Sequence, residues 1–94
     1  MMTIWKFPLK GMHLQTIDMP KGAKIISVAV QRTTICLWVE VNPNEDALCA
    51  RNIEIISTGQ IVKDHAIERH FLGTILIDQD NYIFHVYERI GGTT

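Results

Sequence analysis

The sequence predicts an all-β, mainly antiparallel fold: a small barrel or sandwich of six to seven strands with at most one short helical turn. Three observations predict it. Fourteen isoleucines, six valines and eight threonines among 94 residues supply side chains that suit a pleated, half-buried surface. Apolar residues alternate with polar ones along short runs, the period of a strand. Clusters containing Pro, Gly, Asn or Asp separate these runs at fairly regular spacing, as in small sandwiches and barrels.

The first strand falls in residues 3–9, TIWKFPL, where Trp5, Phe7 and Leu9 alternate with Lys6 and Pro8. Pro8 has no N–H to donate to a ladder, so this strand lies at an edge or ends there. Trp5 and Phe7 are expected in the core. A short strand over residues 15–19 points Ile17 inward, and Pro20-Lys21-Gly22 carries sound turn chemistry.

Residues 24–41, KIISVAVQRTTICLWVEV, form the densest run of core-forming side chains and read as a hairpin. A loop centred on Arg32-Thr33 pairs Val30 with Ile35, Val28 with Leu37 and Ile26 with Val39, all six on one face. The corner lacks Asn-Gly or Gly-Gly, so a four-residue or bulged turn is expected. The opposite face carries Ile25, Ala29, Cys36 and Trp38, with Ser27, Gln31 and Glu40. That is apolar for a solvated face. Either another segment covers it, or it meets another molecule at Trp38, since aromatic anchors dominate interfaces.

Residues 42–46 form a polar loop around Pro43. Residues 51–57 are a strand with Ile53 and Ile55 on one face and Glu54 and Ile56 on the other. Residues 60–70 hold a weak apolar stripe that is short and uncapped, so a helical turn and an irregular loop are both open. Residues 71–77 and 82–89 form a second hairpin across Gln79-Asp80, with Ile75, Ile77, Tyr82, Phe84 and Val86 sharing a face. Gly73 then lies opposite Val86, where a missing side chain leaves room for a bulge or a close neighbour. Residues 1–90 read as one domain and residues 91–94 as a disordered tail.

Composition bounds the function. Hydrophobic residues make up 47% and charged residues 20%, values typical of a globular domain. The net charge of −1 gives no global field for nucleic acid. The charge is uneven, however: five Lys or Arg and only Asp18 lie in residues 1–39, against four Lys or Arg and nine acids in residues 40–94. Two cysteines, Cys36 and Cys49, are too few for a disulfide framework, and no apolar run approaches a membrane span. A cytoplasmic protein with free thiols is expected.

No motif carries chemistry. There is no phosphate-cradling glycine loop, no Gly-x-Ser-x-Gly elbow and no Cys-x-x-Cys. His65 and His70 are five apart, whereas a zinc helix needs four to project both rings from one face. Asp78, Asp80 and Asn81 lack the glycine and distal glutamate of a calcium loop. His85 has no orienting acid nearby in the chain and reads as a ring bonded to a backbone or threonine group. Lys6, Lys10, Lys21, Lys24 and Arg32 with Trp5 and Phe7 suggest a basic rim with stacking groups. A lysine edge that protects an exposed strand explains the same residues, so nucleic acid is disfavoured.

The segments TIWKFPL, MPKGAKIISV, CLWVEV, STGQ, FLGT and IFHVYE resemble a family of short proteins of unknown function, encoded mainly in phages and prophages. The resemblance runs over residues 3–88. Its most specific parts are Trp5-Lys6-Phe7-Pro8, Met19-Pro20, Gly22-Ala23-Lys24, Leu37-Trp38 and Phe84-His85-Val86. It implies a compact β domain with a viral accessory role and brings no catalytic residues. Relatives of this kind carry Gly-Thr-Gly-His where this chain has Ser57-Thr58-Gly59-Gln60.

The expectation is therefore a non-enzymatic phage accessory protein in the cytoplasm of a bacterial host. It would bind a host or viral macromolecule, or itself, and inhibition of a host defence system is one specific form. The alternative is a protein that binds or sequesters a small nucleotide signal through an aromatic side chain with nearby Lys or Arg. Trp38, Ile25, Trp5, Arg32, His85 and Tyr87 are the candidate binding residues, with no metal and no cofactor.

Overall fold

The computed structural model describes residues 1–79 and 81–90. It contains seven strands: β1 (Thr3–Pro8), β2 (Gln15–Pro20), β3 (Lys24–Gln31), β4 (Thr34–Val41), β5 (Leu48–Ser57), β6 (Arg69–Ile77) and β7 (Tyr82–Arg89). They form two antiparallel sheets, a three-stranded one in the order β1-β4-β3 and a four-stranded one in the order β2-β5-β7-β6. The all-β, antiparallel expectation holds, and the architecture is the sandwich. No helix occurs among the described residues; residues 58–68 are a loop with turns. The tail at residues 91–94 lies outside the described residues.

Alternation builds the core. Ile35, Leu37, Val39 and Val41 of β4 face Ile53 and Ile55 of β5, Ile75 of β6 and Val86 of β7, with Met19 of β2 fully buried beside them. Truncating a side chain such as Leu37 to alanine would cost about 2–5 kcal/mol, combining lost transfer energy with the cavity left behind.

The central hairpin departs from its predicted register at one point. Val30 pairs with Ile35 and Val28 with Leu37, as the alternation requires. A bulge between Ile25 and Ser27 then absorbs Ile26, so Ile25, not Ile26, pairs with Val39. The extra residue flips every side chain beyond it. Ile25 therefore faces inward and packs on the core, while Ile26 is 42% exposed.

The turn also differs: Gln31 pairs with Thr34, leaving a two-residue corner in which Arg32 takes φ 60°. Primed two-residue turns match the strand twist, and here an arginine supplies the positive φ usually given by glycine or asparagine.

In the second hairpin Ile77 pairs with Tyr82, and Asn81 N–H donates to Asp78 C=O at 3.0 Å. Gly73 lies opposite Val86, beside a bulge between Phe71 and Gly73. It also marks a close approach between the two sheets. A Cβ built on Gly73 would sit 2.5 Å from Cγ1 of Val28, so β3 and β6 come together only because this side chain is missing.

β1 is the edge strand that Pro8 predicts, closing with a bond from Leu9 N–H to Ile35 C=O at 2.8 Å. Phe7 reaches the core. Trp5 shares its face but stays 41% exposed, because an edge strand has neighbours on one side only.

Candidate functional site

The six candidate residues divide among separate places. Ile25 packs on the core between the sheets, whereas Trp5, expected in the core, is on the same side of edge strand β1 as Phe7 but 41% exposed and outside the core. His85 and Tyr87 lie on the outer face of the four-stranded sheet. Trp38 and Arg32 lie on the outer side of the three-stranded sheet. The structure does not bring the six together.

On the four-stranded sheet, His85 is held between two hydroxyls, with Thr58 Oγ1 at 2.8 Å from Nε2 and Thr74 Oγ1 at 3.1 Å from Nδ1. Both ring nitrogens are engaged and neither meets a carboxylate, so His85 is a structural tie from β7 to β6 and to the turn after β5. Tyr87 packs edge-on against Phe71, with centroids 5.4 Å apart.

Beside them Glu54 accepts from Arg69 Nε at 2.7 Å and from Arg89 Nε and Nη2 at 3.0 Å each. Arg69 Nη1 also donates to the carbonyls of Asp64 and Ile67 at 2.8 and 3.1 Å, which fastens the loop over this sheet. The Arg89 hydrogen bond, and then that of Arg69, hold the Glu54 carboxyl below the usual carboxylate range against the opposing effect of burial. One donor, Arg69 Nη2, is buried without a partner among the described residues. This half of the surface is organised for cohesion.

A second arginine–carboxylate pair lies at the end of the core. Arg51 and Glu88 form a two-pronged ion pair, with Nη2 to Oε1 at 3.0 Å and Nε on Oε2. Arg51 Nη1 donates to Ala23 C=O at 2.8 Å, tying the four-stranded sheet to the turn that enters β3. The bond to Glu88 raises the pKa of Arg51 above its ordinary value.

The outer face of the three-stranded sheet is different. No strand lies over it among the described residues. Its centre is Trp38, half-buried on the middle strand, with Lys6 opposite it on β1 and Ser27 opposite it on β3. Pro8 and Ala29 flank Cys36 in the next row, which leaves that thiol 2% exposed.

At the turn end of this face is a cup of about 380 Å³, lined by Lys6, Pro8, Gln31, Arg32, Thr33, Thr34 and Cys36. Lys6 Nζ donates to Gln31 Oε1 at 2.7 Å across its rim. Sequence reading placed Trp38 on this face but missed the convergence of Lys6 with the turn. The only signal for it was alternation in TIWKFPL, which separates Lys6 from Trp5 and Phe7. Lys6 therefore does not share a surface with Trp5 and Phe7: it stands on the outer face of β1 and the two aromatics on the other.

Among the described residues no group of three or more His, Cys, Asp or Glu side chains is placed to hold a metal ion. No helix there is long and apolar enough to cross a membrane.

Fold and site together define a small antiparallel β sandwich in which a loop is fastened over part of the outer face of the four-stranded sheet, leaving Phe71, Leu76 and Ile83 exposed there. No strand lies over the outer face of the three-stranded sheet among the described residues. The chain belongs to a family described as a domain of unknown function, DUF7352, which matches residues 1–93. No curated protein and no solved structure matches it.

Proposed function

We propose that this protein is a non-enzymatic binding module, an accessory protein of phage or prophage origin that acts in the bacterial cytoplasm. It engages a host or viral macromolecule through the bare outer face of the three-stranded sheet. One observation carries the reading: Trp38, a large amphipathic side chain, sits half-buried at the centre of a sheet face with no strand over it. Aromatic anchors in that setting, ringed by smaller side chains that exclude water, dominate binding energy at protein interfaces. Exposed Ile4, Ile26 and Ala29 extend the apolar surface, and Lys6, Lys24 and Glu40 give it a polar rim. Inhibition of a host defence complex is one specific form of this binding.

The test compares the two outer faces. Ser27→Arg places a charged side chain beside Trp38, and Phe71→Ser removes an exposed aromatic from the opposite side. Affinity capture from host cells is run with wild type and both variants. A partner retained by wild type and Phe71→Ser but lost by Ser27→Arg supports the reading. Loss with Phe71→Ser alone sinks it.

A further inference from the structure

We propose that the cup between Lys6 and the β3–β4 turn binds the phosphate group of a small nucleotide, with the base laid along Trp38. Lys6 offers an ammonium, Arg32 a guanidinium, and Thr33 and Thr34 hydroxyls, while Pro8 and Cys36 supply an apolar side and no carboxylate lines the cup. The Gln31 carbonyl oxygen is taken by Lys6, which leaves the amide NH₂ as its free donor. A concave site made of donors around two cations fits a tetrahedral oxyanion. Lysine acts there as a point charge and arginine as a two-pronged fork.

Among the described residues Arg51, Arg69 and Arg89 each hold a carboxylate, whereas Lys6 and Arg32, like Lys10, Lys21, Lys24 and Lys63, form no salt bridge; Lys6 and Arg32 are the two of these that line the cup. Arg32 also occupies the left-handed region, at φ 60°, where side chains other than glycine and asparagine are strained. The corner of the other hairpin holds Asp78 and Gln79 at φ 57° and 53° as well, so the positive φ belongs to the tight turn. Here it sets a guanidinium at the rim of the cup.

Trp38 identifies the rest of the ligand. It lies opposite Lys6 and two residues along β4 from Cys36, on the same face. Successive residues on one face of a strand stand about 7 Å apart, so a planar group attached to a phosphate in the cup reaches the indole. The arrangement suits a compact nucleotide better than a polynucleotide. A single strand is tracked by a groove of cations with several stacking groups, and this face converges two cations on one cup beside one tryptophan.

The inference does not depend on the macromolecular reading, and its test is separate from affinity capture. The ¹⁵N-labelled protein is titrated with inorganic phosphate, adenosine and adenosine monophosphate, following amide and indole signals. The nucleotide is expected to shift the amides of residues 31–36 and the Trp38 indole saturably, and adenosine to shift them far less. Arg32→Gly suits the positive φ and so keeps the fold, yet should weaken binding about ten- to hundredfold through loss of charge-assisted bonds. Lys6→Gln should weaken it in the same direction, and Phe71→Ser on the opposite face should leave it unchanged. The proposal is overturned if no saturable shift occurs at millimolar nucleotide, or if Arg32→Gly binds as wild type does. It is equally overturned if phosphate alone binds as well with Trp38 unmoved, or if oligothymidylate binds more tightly as it lengthens.

Discussion

In the four-stranded sheet each arginine is matched: Arg51 holds Glu88, and Arg69 and Arg89 share Glu54. In the three-stranded sheet Lys6 and Arg32 stand at the rim of a cup that no carboxylate lines. The sheets are similar in build, both antiparallel and sharing one core, yet charge is used differently in each. In one it closes the structure on itself, fixing a loop over the outer face and tying the sheet to the turn that enters β3. In the other it is left open toward solvent. Side chains that satisfy one another contribute to folding, and cations left without a counter-charge on a concave surface are available to a ligand.

The contrast can be broken most forcefully at Arg51. Arg51→Met leaves Glu88, 7% exposed, without its counter-charge. A buried charge that loses its partner costs about 3–5 kcal/mol, to be read as a fall in the urea midpoint.

Glu54→Gln should cost about 2–3 kcal/mol, because hydrogen bonds to two guanidinium groups are weakened together. Its pH dependence sharpens the point. The folded pKa of Glu54 is depressed, so its stabilisation is full above the unfolded value of about 4.3 and is lost as the pH falls through the lowered folded value. The stability difference between wild type and Glu54→Gln should therefore shrink on acidification across that window. A difference that stays constant would remove Glu54 from the account.

Gly73→Ala tests the junction of the sheets. Its new methyl meets Val28 and should cost about 1–2 kcal/mol as overpacking, with Val28→Ala on the same chain restoring part of the loss.

On the bare side the sign reverses. Arg32→Gly should stabilise the protein by about 1 kcal/mol by relieving the left-handed conformation. Lys6→Gln should change stability by no more than about 0.5 kcal/mol, as expected of an exposed side chain outside any ion pair. If either variant proved strongly destabilising, the bare face would belong to the folding machinery after all.

Much of this was legible in the sequence, and the residues show why the rest was not. Both hairpins followed from alternation about polar corners, down to Val28 opposite Leu37 and Gly73 opposite Val86. For His85 the sequence leaves a backbone partner, a threonine partner and a binding role open, and two threonine hydroxyls hold the ring. The bulge at Ile26 left no trace, because Ile25 and Ile26 are chemically identical and alternation cannot say which one is the insertion. The Lys6 cup was hidden in a long-range register: Lys6 meets Trp38 only once β1 pairs with β4. Glu54, Arg69 and Arg89 sit on three strands whose spatial order, β5-β7-β6, does not follow the order of the chain. Charge complementarity at those separations becomes readable only after the strands are placed.

That strand order has a consequence for synthesis. β7 lies in the interior of its sheet, between β5 and β6, yet it follows both in the chain. While the chain is being made, β5 has β2 on one side and nothing on the other, and β6 has no partner in its own sheet. The four-stranded sheet cannot assemble until residues 82–89 have left the ribosome. Until then the nascent chain leaves the backbone N–H and C=O groups along one edge of β5 and along β6 without their sheet partners, the condition that recruits chaperones or promotes aggregation. A stop codon anywhere before Tyr82 would therefore lose more than a hairpin arm: it would remove the strand on which the rest of that sheet is zipped.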